Sequence, residues 1–308
     1  MIRKFTFGVF AAAFALLASC NKAEVERDGE LTIMNFTVDM PVDVSTKAYG
    51  DGNGINKVWY YVYEKIDETY SYVQNASGNI QITDGSADLP IGLYVGKTYR
   101  LVFFAQKEVS VDGQATPVYS LVPSDLIGGM KINIPDSAEN FEIYDAFVCQ
   151  CEVTVSAGQS LPVQLIRPFA QLNILCTETD WNNSVTLGHT PASCDLTLSV
   201  PSSYDIFTGE SSESASKTIT CAALPTESVT GFKYIVMAYV LPASANITLK
   251  VDVKDAGGVF VSRDIANVPL KRNQRTTIKG NLMTGTMQYS VSLSTGITDA
   301  DGSPVEVQ

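Results

Sequence analysis

The sequence predicts an all-β protein built from two β-sandwich domains. Strand-like runs rich in Val, Ile, Tyr and Phe recur along the chain, separated by turn pairs such as Ser77-Gly78, Asp84-Gly85, Asp112-Gly113 and Gly128-Gly129. No long stretch carries the 3.6-residue apolar period of a helix, and helix is expected only in short pieces, for instance near 177–184. Ser156-Ala157-Gly158-Gln159 interrupts the pattern midway, and 308 residues suffice for two domains of ordinary size. The expected division is a leader at 1–19, a tether at 20–30, a first sandwich at 31–160 and a second at 161–308.

Hydrophobic residues make up 45% of the chain and charged residues 18%, the balance of a packed globular protein. The formal net charge is −12, and removal of residues 1–19, which hold Arg3 and Lys4 and no acid, makes it −14. Such an acidic surface has no electrostatic footprint for nucleic acid, and no nucleic-acid partner is expected. His189 is the single histidine, so histidine-cluster metal sites are excluded and no metal or cofactor is expected.

Arg3 and Lys4 precede an apolar run at 5–18 that has signal-peptide length and is too short to span a bilayer. The run ends in Leu17-Ala18-Ser19-Cys20. That tetrapeptide resembles the lipobox of bacterial lipoproteins, which implies cleavage before Cys20 and lipidation of its thiol with palmitate-type acyl chains. Each buried methylene contributes about 0.8 kcal/mol, so two or more chains anchor stably.

The first strand is expected at 31–38 and the second at 55–66, joined by a polar linker with Lys47 and the turn-rich stretch 51–54. In the first strand Met34, Phe36 and Val38 should point into a groove of the domain, with Leu31 and Ile33 on its outer side. Strong runs follow at 99–106 and 144–155, with weaker ones at 79–83, 118–122 and 131–134. The stretch 163–176 alternates, with Ala170, Leu172, Ile174 and Cys176 on one face and Gln171 and Asn173 on the other. Pro168 lacks an amide donor and belongs at a strand start, an edge or a bulge. Further strands are expected at 194–200, 217–222, 234–241, 247–253 and 259–264, the last two closed by Asp255-Ala256-Gly257-Gly258, while the serine-rich 202–216 reads as a loop. The final run, 286–293, places Met287, Tyr289, Val291 and Leu293 on one face. An alternating tail, 286–308, has the pattern of a donor strand for a neighbour's sheet, and equally of a strand paired within its own domain.

The order of these parts resembles the fimbrillin family, the type V pilin lipoproteins of Bacteroides-type bacteria. Thr46-Lys47-Ala48-Tyr49-Gly50 and Val62-Tyr63 match the family's basic processing site and second strand. Arg167-Pro168-Phe169-Ala170 resembles the start of its C-terminal domain, and the stretch from Pro269 through Asn273 to Ile278 resembles its late basic turn feeding a strand. The resemblance implies transthyretin-like sandwiches and cleavage after Lys47, where studied members carry arginine. It implies a lipid-anchored subunit at the outer-membrane surface or in a fimbrium, structural or adhesive, assembling by protease-triggered strand exchange. Its partners would be other fimbrial subunits or itself, and a ligand on a host or bacterial surface. The alternative is a non-polymerising surface lipoprotein that binds glycan or a partner protein.

Five cysteines follow Cys20, at 149, 151, 176, 194 and 221, an odd number that cannot all pair within one chain. Cys149 and Cys151, two residues apart on one strand, are poorly placed to bridge each other, while Cys176, Cys194 and Cys221 could supply one bridge, or remain buried thiols. Ser214-Ala215-Ser216-Lys217 matches S-x-x-K without its partner motifs, and no catalytic set converges, so no enzyme is expected.

Overall fold

The computed structural model describes residues 29–40, 52, 54–121, 130–226, 228–294 and 305–306. The leader, Cys20 and Lys47 lie outside them. In chain order the strands of the first half are β1 (Leu31–Asp39), β2 (Lys57–Ile66), β3 (Thr69–Tyr72), β4 (Gly78–Gln81), β5 (Ser86–Tyr94), β6 (Thr98–Gln106), β7 (Glu108–Val111), β8 (Gln114–Pro117), β9 (Lys131–Asn133), β10 (Ser137–Ala138), β11 (Ala146–Thr154) and β12 (Ser160–Gln164). The second half holds β13 (Ala170–Thr177), α1 (Glu178–Thr186), β14 (Ser193–Pro201), β15 (Ser203–Asp205), β16 (Glu210–Ser211), β17 (Ser214–Cys221), β18 (Ser228–Val229), β19 (Phe232–Val240), β20 (Ile247–Asp255), β21 (Gly258–Val268), β22 (Arg275–Asn281), β23 (Gln288–Leu293) and β24 (Val305–Glu306). The all-β, multi-sheet fold is the one expected from the sequence.

The first sandwich faces the sheet β12-β1-β5 against β11-β6-β2-β3, with β4 also paired to β2. Its core joins Met34, Phe36 and Val38 to Leu89, Ile91 and Leu93 from β5 and to Val58, Val62, Leu101, Phe103 and Phe147 from the opposing sheet. The second sandwich faces β10-β17-β14-β20-β21 against β18-β19-β13-β22-β23-β24. The β11-β6-β2 sheet is buried on both faces, since Tyr61, Tyr63, Val102, Phe104, Ala146 and Val148 pack into the core of the second sandwich.

Strand pairing crosses the division expected near residue 160. β12 follows that point yet pairs in parallel with β1 of the first sandwich. β9 and β10 precede it yet pair with β15 and β17 of the second. The expected run at 163–176 is accordingly two strands, one per sandwich. The chain turns between them where Pro168 offers no amide hydrogen and Arg167 plunges inward to Asp145.

Two further expectations need correction. No strand forms over 118–121. The Gln106 side chain grips the Tyr119 backbone there, accepting from its N–H at 2.6 Å and donating to its carbonyl at 2.9 Å, and the preceding residues close as the β7-β8 hairpin. The polar residues of β13, Gln171 and Asn173, are themselves buried. The 3-10 turn Phe141–Tyr144 lies against β19 beside them, where Tyr239 donates to Glu142 Oε1 at 3.0 Å and Arg275 donates to Gln171 Oε1 at 2.8 Å. The stretch 202–216 is not a plain loop, since β15, β16 and the start of β17 form within it.

α1 is specified locally. Thr177 is its N-cap, accepting from the Asp180 N–H at 3.1 Å, and Glu178 and Asp180 place negative charge in the first turn. The positive φ of Gly188, +93°, follows its end.

Candidate functional site: a central strand and a late strand

β1 is the middle strand of its sheet. It pairs antiparallel with β5 along its whole length, from Leu31 opposite Tyr94 to Asp39 opposite Ser86. On its other edge residues 35–39 pair in parallel with residues 160–164 of β12. Bonds beyond the ladder tie both ends: Val95 N–H donates to Glu30 O at 2.9 Å, Met40 N–H to Gly85 O at 2.9 Å, and Leu165 N–H to Asp39 O at 3.0 Å.

The side chains divide by the period of two. Met34, Phe36 and Val38 are fully buried, and Phe36 meets Phe103 with ring centroids 5.6 Å apart. Leu31 and Ile33 are 58% and 53% exposed on the other face, beside Gly92. Burying each of the three inward side chains returns about 1.5–3 kcal/mol before ordering costs. Without β1, β5 and β12 would each face the gap with unpaired backbone groups, above an apolar trench lined by Leu89, Ile91, Leu93 and Phe103.

The other candidate strand sits at the far sandwich. Tyr289, Val291 and Leu293 lie in β23, which pairs antiparallel with β22, Gly280 opposite Tyr289 and Thr276 opposite Leu293. Met287, just before it, and Val291 pack against the second core, while Tyr289 is 36% exposed. The Ala266 N–H donates to Tyr289 Oη at 3.4 Å. Gly280 makes the close approach workable, because a Cβ there would stand 2.0 Å from the Gln288 carbonyl oxygen.

The chain leading into β23 is fastened at its root. Asp180 Oδ2 accepts from the Leu282 and Met283 N–H groups at 2.6 and 2.7 Å, and Asp180 Oδ1 from the Thr284 N–H at 2.8 Å. Arg263 donates to Leu282 O at 2.8 Å and to Gly285 O at 3.2 Å. The sequence offered one hint of this clamp, an acid in the first turn of a short helix, and none of its destination a hundred residues on.

The single histidine and the lysine of the S-x-x-K match both make local structural contacts. His189 Nδ1 is 2.8 Å from Asp255 Oδ2 and its ring stacks on Phe260, while Lys217 bonds Asp136 and Ile134 O, both at 2.8 Å. Among the described residues no helix is long and apolar enough to cross a membrane.

Solved structures are similar to this chain. A candidate polysaccharide-binding protein from Bacteroides thetaiotaomicron aligns with 90% of this chain and 98% of its own, at 10% identity and a TM-score of 0.54. A candidate cell adhesion protein from Bacteroides uniformis aligns with 86% of this chain and 97% of its own, at 12% identity and a TM-score of 0.50. A fimbrial assembly protein from Parabacteroides distasonis covers 89% and 98%, at 14% identity and a TM-score of 0.49. The fold is the one shared with the first two of these proteins. No curated protein matches significantly. The chain belongs to the family of unknown function DUF6562, whose model matches residues 26–303.

Proposed function

We propose that this protein is a lipid-anchored subunit of a surface fimbrium or adhesin, and that β1 holds the place of a strand donated by a neighbouring subunit. The observation that carries the reading is the position of β1: central in its sheet, with three fully buried apolar side chains, and followed by a segment that contains Lys47. Cleavage near Lys47 would free β1 from everything that follows. The tail of a second copy, with Met287, Tyr289, Val291 and Leu293 alternating as Met34, Phe36 and Val38 do, would then fill the trench. Shared fold with candidate polysaccharide-binding and cell adhesion proteins supports a role at the cell surface. Cys20 would supply the anchor in the outer membrane.

The other reading, a surface lipoprotein that binds glycan or a partner protein and never polymerises, is favoured by the seating of β23. Gly280 and the clamp by Asp180 and Arg263 suit a tail that stays at home. Cell fractionation, acyl labelling and gel analysis separate the cases. The proposed subunit sits in the outer membrane, loses its label in Cys20→Ser, and appears as detergent-resistant ladders. Monomer alone in the same fraction supports the non-polymerising lipoprotein, and undiminished labelling of Cys20→Ser contradicts the anchor.

A further inference from the structure

β14 and β17 run antiparallel, and their register sets Cys194 directly opposite Cys221. Both side chains enter the same core, and neither residue is more than 2% exposed. The Cys194 thiol is 3.4 Å from the Ile235 carbonyl oxygen. Facing residues of antiparallel strands have Cα atoms about 4.5–5.5 Å apart. Disulfides span about 4.4–6.8 Å between Cα atoms, so the spacing of facing residues permits a bridge.

The other thiols are placed differently. Cys149 and Cys151 follow one another on β11, opposite Phe103 and Leu101 of β6. Cys176 lies on β13, in the other sheet of the sandwich, opposite Lys233 and Gly280. Among the described residues Cys194 and Cys221 are the one cysteine pair that strand register brings face to face.

We propose that Cys194 and Cys221 form a disulfide in the mature protein, a statement that rests on its export to an oxidising compartment. The two thiols give up two protons and two electrons as the S–S bond forms. A thiol–disulfide oxidant accepts them and leaves as its dithiol. Exchange precedes final packing, because the folded pair is closed to a protein oxidant. The bridge staples β17 to β14 at the end of their ladder, beside the two-residue β10 that is the other described partner of β17.

The test takes full-length protein from cells quenched in acid, blocks free thiols in denaturant, and maps peptides without reduction, with fractionation of parallel cells. The expected result is a linked peptide pair carrying Cys194 and Cys221, two hydrogens lighter than the reduced pair, with Cys149, Cys151 and Cys176 alkylated. Reductant should lower the melting temperature of the wild type by several degrees and leave that of a Cys194→Ala, Cys221→Ala double variant unmoved. Envelope protein with both thiols alkylated, or with either joined to Cys176, overturns the bridge while the export reading stands. Protein confined to the cytosol overturns the export reading and with it the bridge in the cell.

Discussion

Arg167 and Asp145 form a bidentate ion pair, Nε to Oδ1 at 2.7 Å and Nη2 to Oδ2 at 2.9 Å, with both side chains at most 1% exposed. Asp145 stands just before β11, and Arg167 at the turn from β12 into β13, so the pair locks the chain where it passes between the sandwiches. The guanidinium also lies over the Phe147 ring at 4.2 Å. Burial works against the cation and Asp145 overcomes it, leaving the Arg167 pKa above its ordinary value. Removing one partner strands a buried charge and should cost about 3–5 kcal/mol. Arg167→Met and Asp145→Leu are each expected to lower the urea midpoint strongly, and the double variant to recover much of the loss. A double variant as unstable as the sum of the singles would show that the charges do not act as a pair.

Gly280 decides how firmly the tail is held. In Gly280→Ala the new Cβ meets the Gln288 carbonyl, and β23 must lift from β22. Overpacking of this kind costs about 1–3 kcal/mol. Amide exchange at 288–293 should accelerate in the variant, while exchange in β13 and β19 stays as in the wild type. Unchanged protection of β23 would mean that the strand tolerates the methyl and that the close fit is incidental.

The inward and outward faces of β1 were legible because Met34, Phe36 and Val38 alternate with polar or exposed neighbours at the period of the pleat. β5 was not legible, because Pro90 and Gly92 interrupt it and argue against a strand. β5 is an outer strand, and there a missing amide donor leaves no ladder gap. The burial of Gln171 and Asn173 was not legible, because alternation reports polarity rather than burial, and the Phe141–Tyr144 turn beside them comes from elsewhere in the chain. The split of 163–176 between two sandwiches depends on Arg167 finding Asp145, a long-range pairing that no local pattern announces. Of the candidate site, the alternation of 287–293 was visible, while its clamp by Asp180 was not.

Alkaline pH should loosen the fold. Cys151 is pushed up to about 12 by burial and then by Cys149, and Cys176 to about 12 by burial and then by Asp180. Tyr61 is pushed up to about 12 by burial and then by Tyr72. These folded values exceed the ordinary 9.0 of a thiol and 10.0 of a phenol, so the neutral forms favour folding. Their contribution is complete below pH 9 and is lost as the pH rises through about 12. The urea midpoint in reductant is expected to fall steadily from about pH 9 upward, and to fall less steeply in Cys176→Ala. An identical slope in that variant would remove Cys176 from the account.

Strand replacement is the central claim, and it is tested by comparing the full chain with one that begins at Ala48. The full chain, with β1 in its groove, should remain monomeric. The shortened chain should form detergent-resistant ladders, and further removal of residues 286–308 should abolish them. Ladders of equal extent from the uncut chain, or a folded and monomeric chain from residue 48 onward, would contradict the account.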